Sequence, residues 1–226
     1  MQSGGTMKVL AGLLVLMLAG IGCARIYRPV EVAPIRTVAP VERLTGAVAL
    51  QPWGDNSRYE EKAHKANLRV LVLCLENQGR TGVDVLGLEV PAQTTVLRPD
   101  EALLLVKQQP LLFLLYPLLP GLMIPGAETK GSFGPSDQAA FSALAFVGLA
   151  IGVPNAVVAA RSNARLGAFF QNQAWSSGPL ESGQRRQGLL FLRSPDPYAP
   201  LTLQIRYQCG SEALRLALVC PGLAPR

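Results

Sequence analysis

Residues 202–220 constrain the fold of this chain more than any other stretch. Leu203, Ile205, Tyr207 and Cys209 alternate with Thr202, Gln204, Arg206 and Gln208. After Gly210-Ser211-Glu212 the apolar positions resume at Leu214, Leu216, Leu218 and Cys220. A period of two puts every apolar side chain of a strand on one face. Two such runs around a Gly-Ser turn predict an antiparallel hairpin with one buried and one wet face. Matching the apolar faces predicts Cys209 opposite about Leu214 and Cys220 opposite about Leu203. Their sulfurs would then lie roughly 20 Å apart at ~3.3 Å per residue, which excludes a bridge between them.

Other segments carry the same β texture. Residues 67–76 (NLRVLVLCLE) form a near-continuous run of Leu and Val closed by Asn77-Gln78-Gly79. Residues 47–53, 83–90 (with Gly87 inside), 94–97 and 188–193 are further candidate strands, and Ser194-Pro195-Asp196-Pro197 is a turn-rich connection. Short strands separated by turn residues predict a mainly β chain built as an antiparallel β-sandwich. In texture it resembles the immunoglobulin-like sandwiches of bacterial envelope proteins, although it lacks the Cys…Trp…Cys spacing of true immunoglobulin domains.

Between the two β-rich parts lies an apolar, partly helical insertion at about 101–175. Only Glu101, Lys107, Glu128, Lys130 and Asp137 are charged between residues 101 and 160. Residues 103–124 are Leu-rich, but Pro110, Pro117 and Pro120 deny them a single straight helix. Pro135-Ser136-Asp137 reads as a helix start, followed by 23 uncharged residues, 138–160, with Pro154 as an interruption. Residues 163–175 read as an amphipathic helix with Leu166, Phe169 and Phe170 on one side. The 138–160 stretch is long enough for a bilayer at ~1.5 Å per residue, with Gly148, Ala150 and Gly152 offering small packing surfaces. The stronger reading is that the insertion packs on the sandwich or lies at a membrane or partner surface. Its candidate contact residues are Leu111, Leu112, Phe113, Leu114, Leu144 and Val147, with Arg161 and Arg165 at its basic end.

The amino end reads as an address. Lys8 precedes fourteen uncharged residues, 9–22, mostly Leu, Val, Ala, Gly or Met. A cation, a short apolar core and small residues are the parts of a secretory signal peptide, here 1–22. Fourteen residues span only about 21 Å as a helix, short of the ~30 Å hydrocarbon core. Met7 would serve as a start as well as Met1. The stretch ends Leu18-Ala19-Gly20-Ile21-Gly22-Cys23. This resembles the lipobox of bacterial lipoprotein precursors, with Gly20 where that family usually has Leu. The resemblance implies cleavage after Gly22 and acylation of Cys23 as the first mature residue. Ala24, in place of the Asp that retains such proteins at the inner membrane, implies an outer-membrane location facing the periplasm. The inner membrane is the alternative if the apolar insertion halts export. Pro29, Pro34 and Pro40 make 23–43 an expected extended tether, leaving 44–226 as one sandwich domain with its insertion.

With Cys23 acylated, Cys74, Cys209 and Cys220 remain, an odd number in an oxidising compartment. A bridge from Cys74 to Cys209 or Cys220 across the sandwich and three buried free thiols are equally open. Candidate chemistry is sparse. The single histidine, His64, sits in a charged run, Glu60-Glu61-Lys62-Ala63-His64-Lys65, and reads as a surface residue. No G-x-S-x-G, H-E-x-x-H, C-x-x-C or phosphate-cradling loop occurs. The net charge of +6 is spread over pairs such as Arg25/Arg28, Lys62/Lys65 and Arg185/Arg186 without aromatic interleaving, which argues against nucleic acid. The expectation is therefore a non-catalytic envelope lipoprotein, a structural or accessory module. It would hold the membrane through its lipid and an envelope protein as partner, with no metal, cofactor or evident small-molecule substrate. The alternatives are a membrane-inserting or oligomeric component whose 103–160 region forms a helical hairpin in the bilayer, and a hydrophobic-ligand carrier.

Overall fold

A computed structural model describes residues 24–32, 39–41, 44–115, 135–196, 198–220 and 222. Among them nine strands form two antiparallel sheets. The first has the order β1 (Ala39–Val41), β2 (Leu44–Leu50), β3 (Leu68–Asn77), β7 (Arg185–Arg193), β5 (Thr95–Leu97). The second has the order β6 (Gly178–Leu180), β4 (Val83–Glu89), β8 (Leu201–Cys209), β9 (Glu212–Cys220). The helices are α1 (Ser57–Lys65), α2 (Pro99–Val106), α3 (Pro110–Phe113) and α4 (Pro135–Gln173). The chain is thus a mainly β sandwich with a helical insertion, as the strand texture predicts.

The two sheets bury opposite kinds of sequence for one reason. Leu71, Leu73, Leu75, Leu190 and Leu192 of the first sheet meet Leu203, Ile205, Tyr207, Leu216 and Leu218 of the second in a shared core. The outer face of the second sheet is solvated, so buried residues of β8 alternate with exposed ones and the half-buried Gln204. Leu68, Val70, Val72, Leu189 and Phe191, on the outer face of the first sheet, are covered by Tyr59 and Ala63 of α1, Ala102 and Val106 of α2, and Leu166 and Phe170 of α4. With both faces covered, β3 must be apolar almost throughout. Its first eight residues are all buried, including one arginine.

The hairpin forms with a tighter register than expected. Leu203 pairs with Leu218, Cys209 with Glu212 and Cys220 with Leu201. Gly210 and Ser211 alone make the turn, with Gly210 at φ +61°, the sign the first loop position of a type II′ turn requires. The apolar faces are those expected, and the two cysteines lie at opposite ends of the ladder.

Two expectations are corrected. The helix expected to break at Pro154 runs as one 39-residue element through it and through the separately expected 163–175 helix. An internal proline costs about 3 kcal/mol in a helix, and buried Ala159, Leu166 and Phe170 further along α4 favour its continuation. The chain divides into two compact units, one of Tyr27–Lys107 and Arg165–Arg226, the other of Met1–Ile26 and Gln108–Ala164. The tether expected over 23–43 is docked over much of its described part. Tyr27 is buried, edge-on to Tyr59 at 5.7 Å between ring centroids. Asn56 grips Arg28 on both sides, accepting its N–H at 2.9 Å and donating Nδ2 to its carbonyl at 2.8 Å. Aromatic burial and paired main-chain bonds outweigh the freedom that the prolines suggested.

Candidate functional site

Within the unit of Met1–Ile26 and Gln108–Ala164, two arrangements draw attention. The first is a polar clasp on the amino end. Asn155 of α4 accepts the Ala24 N–H at 2.8 Å and donates Nδ2 to the Ile151 carbonyl at 2.9 Å. Gln108, 4% exposed, donates Nε2 to the Arg25 carbonyl at 2.8 Å. Asn163 fixes Gln108 in turn, accepting its N–H at 2.9 Å and donating to its carbonyl at 2.8 Å. A chain segment with no secondary structure of its own is thus satisfied by side-chain amides, which supply a donor and an acceptor together.

The second arrangement is an exposed apolar ridge on α4. Phe146 is 73% exposed, Leu149 44%, Val153 46% and Val157 43%. Steps of three, four and four residues keep these side chains on one helix face. Arg161, one turn further, is exposed too. Asn155 lies between Val153 and Val157 in sequence but about 200° round the helix from each, so the clasp and the ridge are on opposite faces of α4. Elsewhere in this unit Leu111, Leu112 and Leu114 are exposed, whereas Phe113 is buried. The sequence made all four equivalent contact candidates, and the structure separates Phe113 from the rest.

The remaining candidates fall as follows. Gly22 and Cys23 lie outside the described residues. Leu144 and Val147 are in α4, with side chains outside the described set. Arg165 is exposed on the same helix, in the sandwich unit. Cys74, Cys209 and Cys220 are buried and form no disulfide with one another. The candidate bridge from Cys74 to Cys209 or Cys220 is therefore corrected. Cys209 and Cys220 belong to the core between the sheets, whereas Cys74 shares the face of Val70 and Val72, on the outer side of its sheet. There its Sγ accepts the Arg185 Nε–H at 3.0 Å. His64 is half-buried on α1, 3.9 Å from a Glu60 carboxylate oxygen.

In the sandwich unit the most unusual group is Arg69, a cation 1% exposed on β3. It points between the sheets, on the face of Leu71 and Leu73. Its Nη2 donates to the carbonyls of Asp196 and Ala199 at 2.5 and 2.6 Å. Burial pushes the Cys220 thiol up to about 11, with the nearby Arg69 charge pulling the other way. A protonated thiol at neutral pH is a poor nucleophile. An open dent of about 370 Å³ includes Asp84, Glu181 and Gln208 on its walls. A small, partly open cavity of about 10 Å³ beside Tyr27, Trp53 and Phe170 has room for about one water. Among the described residues no group of His, Cys, Asp and Glu could hold a metal ion, and no helix is long and apolar enough to cross a membrane. The side chains of 135–145 and of Val147 are outside that set.

No known protein family and no curated protein matches this chain.

Sequence reasoning missed Gln108, Asn155 and Asn163, because isolated amides carry no local signal of a partner 55 to 131 residues away. It also missed which face of α4 stays exposed. That helix is apolar all round over 138–160, so no periodicity distinguishes its faces.

Proposed function

We propose that this protein is a non-catalytic lipoprotein of a bacterial cell envelope, cleaved after Gly22, acylated on Cys23 and held by that lipid at a membrane facing the periplasm. Its sandwich serves as a structural or accessory module for an envelope protein partner. The observation that carries the reading is the clasp on Ala24. The residue directly after the lipobox-like cysteine is held by Asn155 on the helix that carries the exposed ridge. Cleavage before Cys23 leaves the Ala24 N–H and its bond to Asn155 unchanged. Acyl chains on Cys23 would emerge within about one residue length, ~3.8 Å, of the clasped Ala24.

Metabolic labelling with a fatty-acid analogue tests the reading. Wild type is expected to incorporate label and fractionate with membranes, whereas Cys23→Ala incorporates none and keeps residues 1–22. Equal labelling of the two proteins, or an unlabelled wild type, overturns it.

A further inference from the structure

We infer that β9 is the pairing edge of a reversible homodimer. Glu212–Cys220 of two copies join antiparallel across a two-fold axis at Leu216, and the second sheet continues from one copy into the other. The inference goes beyond the proposed envelope role and does not depend on acylation.

Among the described residues β9 is an edge strand of the second sheet, paired with β8 alone. The other three edge strands, β1, β5 and β6, have three residues each, and β1 and β6 contain Pro40 and Pro179. Short edges and prolines keep sheets from joining one another. Strand β9 has neither safeguard: it runs for nine residues without proline, glycine or lysine, in unbroken register with β8. Cys209 and Glu212 flank a two-residue turn, so they form a hydrogen-bonded pair, and bonding to β8 alternates from there along the ladder. Ala213, Arg215, Ala217 and Val219 therefore aim their N–H and C=O groups away from β8. Among the described residues none bonds these eight groups. All four side chains are exposed, Val219 at 70%.

Such an edge requires an extended strand, and a second β9 meets all of it. With Leu216 on the two-fold, Ala213 faces the partner's Val219 and Arg215 faces the partner's Ala217, each pair exchanging two main-chain bonds. A larger side chain then lies against alanine at every exposed pair, and the half-buried Leu214 meets the partner's Leu218. No like charges are opposed. Sliding the strands by two residues either way leaves two of the eight groups in each copy without a partner. One of those slides also sets Arg215 against the partner's Arg215. The edge is self-complementary in a single register, and that selects a second copy of this chain as its occupant.

Sedimentation equilibrium of the full chain in detergent tests this. One strand pair is a small contact beside those of stable complexes, so wild type is expected to dimerise reversibly with concentration. Ala217→Pro removes one edge donor and no bond to β8, and should give a folded monomer. Ala217→Lys keeps the donor and sets a cation opposite the partner's Arg215 twice. It should weaken the dimer by about three- to thirtyfold, and Ala217→Glu should tighten it by a similar factor. The double variant Ala213→Cys, Val219→Cys should form a covalent dimer on mild oxidation, beyond any that wild type forms. Within one chain those positions lie roughly 20 Å apart at ~3.3 Å per residue, too far for a disulfide. Either substitution alone should add no covalent dimer, because each position lies as far from its own copy across the two-fold. A wild type that stays monomeric up to about 1 mM would overturn the proposal and leave the edge to a strand of another protein. A dimer that survives Ala217→Pro and Ala217→Lys unchanged, without the 213-to-219 cross-link, would overturn it as well.

Discussion

Arg69 Nη2 donates to the carbonyl oxygen of Ala199 at 2.6 Å, joining positions 130 residues apart in the sequence. The same nitrogen reaches the Asp196 carbonyl, so one buried guanidinium ties down the loop between β7 and β8. A buried cation without a carboxylate partner is costly, and the two carbonyl dipoles offset that cost. Arg69→Met leaves both carbonyls without this donor, at about 1–3 kcal/mol for each buried group, against the relief of desolvating a charge. We expect a net loss of about 2 kcal/mol, and new proteolytic cleavage within residues 194–200 at temperatures where wild type is intact. Unchanged stability with an uncut loop would show that the guanidinium does not organise it.

Gly188 offers a steric test. A Cβ there would lie 2.6 Å from the Trp175 Cα and 2.8 Å from its nitrogen, both main-chain atoms. The approach is close because Trp175 donates its N–H to the Leu189 carbonyl at 2.9 Å. Gly188→Ala must push β7 away from the segment after α4. It should cost about 1–3 kcal/mol, read as a thermal midpoint about 2–10 °C lower.

Tyr27 predicts an alkaline weakness. Burial is the main cause that raises its hydroxyl from 10.0 to about 12; the Tyr59 neighbour adds to this and a backbone hydrogen bond at Val30 opposes it. The unfolded chain therefore ionises first, so stability is lost as pH rises from about 10 towards 12, by at most about 1.4 kcal/mol per pH unit. Urea midpoints across that window should fall less steeply for Tyr27→Phe than for wild type. Parallel slopes would remove Tyr27 as the cause.

The three described thiols should be silent in the folded protein. Cys74, Cys209 and Cys220 are buried and unbridged, and Cys220 is further quenched by its raised pKa. Alkylation at neutral pH followed by mass spectrometry should label none of them before unfolding and all three afterwards. Reduction should not change the mass. Rapid labelling of any of the three in native protein would contradict the packing.

Much of the sandwich was legible because strand faces are a local property. The alternation of β8 and β9 and the unbroken apolar run of β3 follow from how many faces of each sheet are covered, and both patterns are visible in neighbouring residues. The turn chemistry at Gly210 was equally readable, yet the register was misjudged by two residues because apolar matching is satisfied by more than one alignment. Helix α1 was hidden because it buries only Tyr59 and Ala63 within a charged run.

What tertiary structure alone decided was the use made of residues whose partners are distant. Asn155 and Gln108 become a clasp only when Ala24 and Arg25 arrive, and Tyr27 becomes core only against Tyr59 and Phe169. The choice of which side of α4 meets solvent belongs to the same class. A helix apolar all round states that it can be buried on any face, and only the elements packed against it determine which residues remain exposed. Side-chain periodicity is written within a few residues, whereas hydrogen-bond partners and covered faces exist only once the chain has returned on itself.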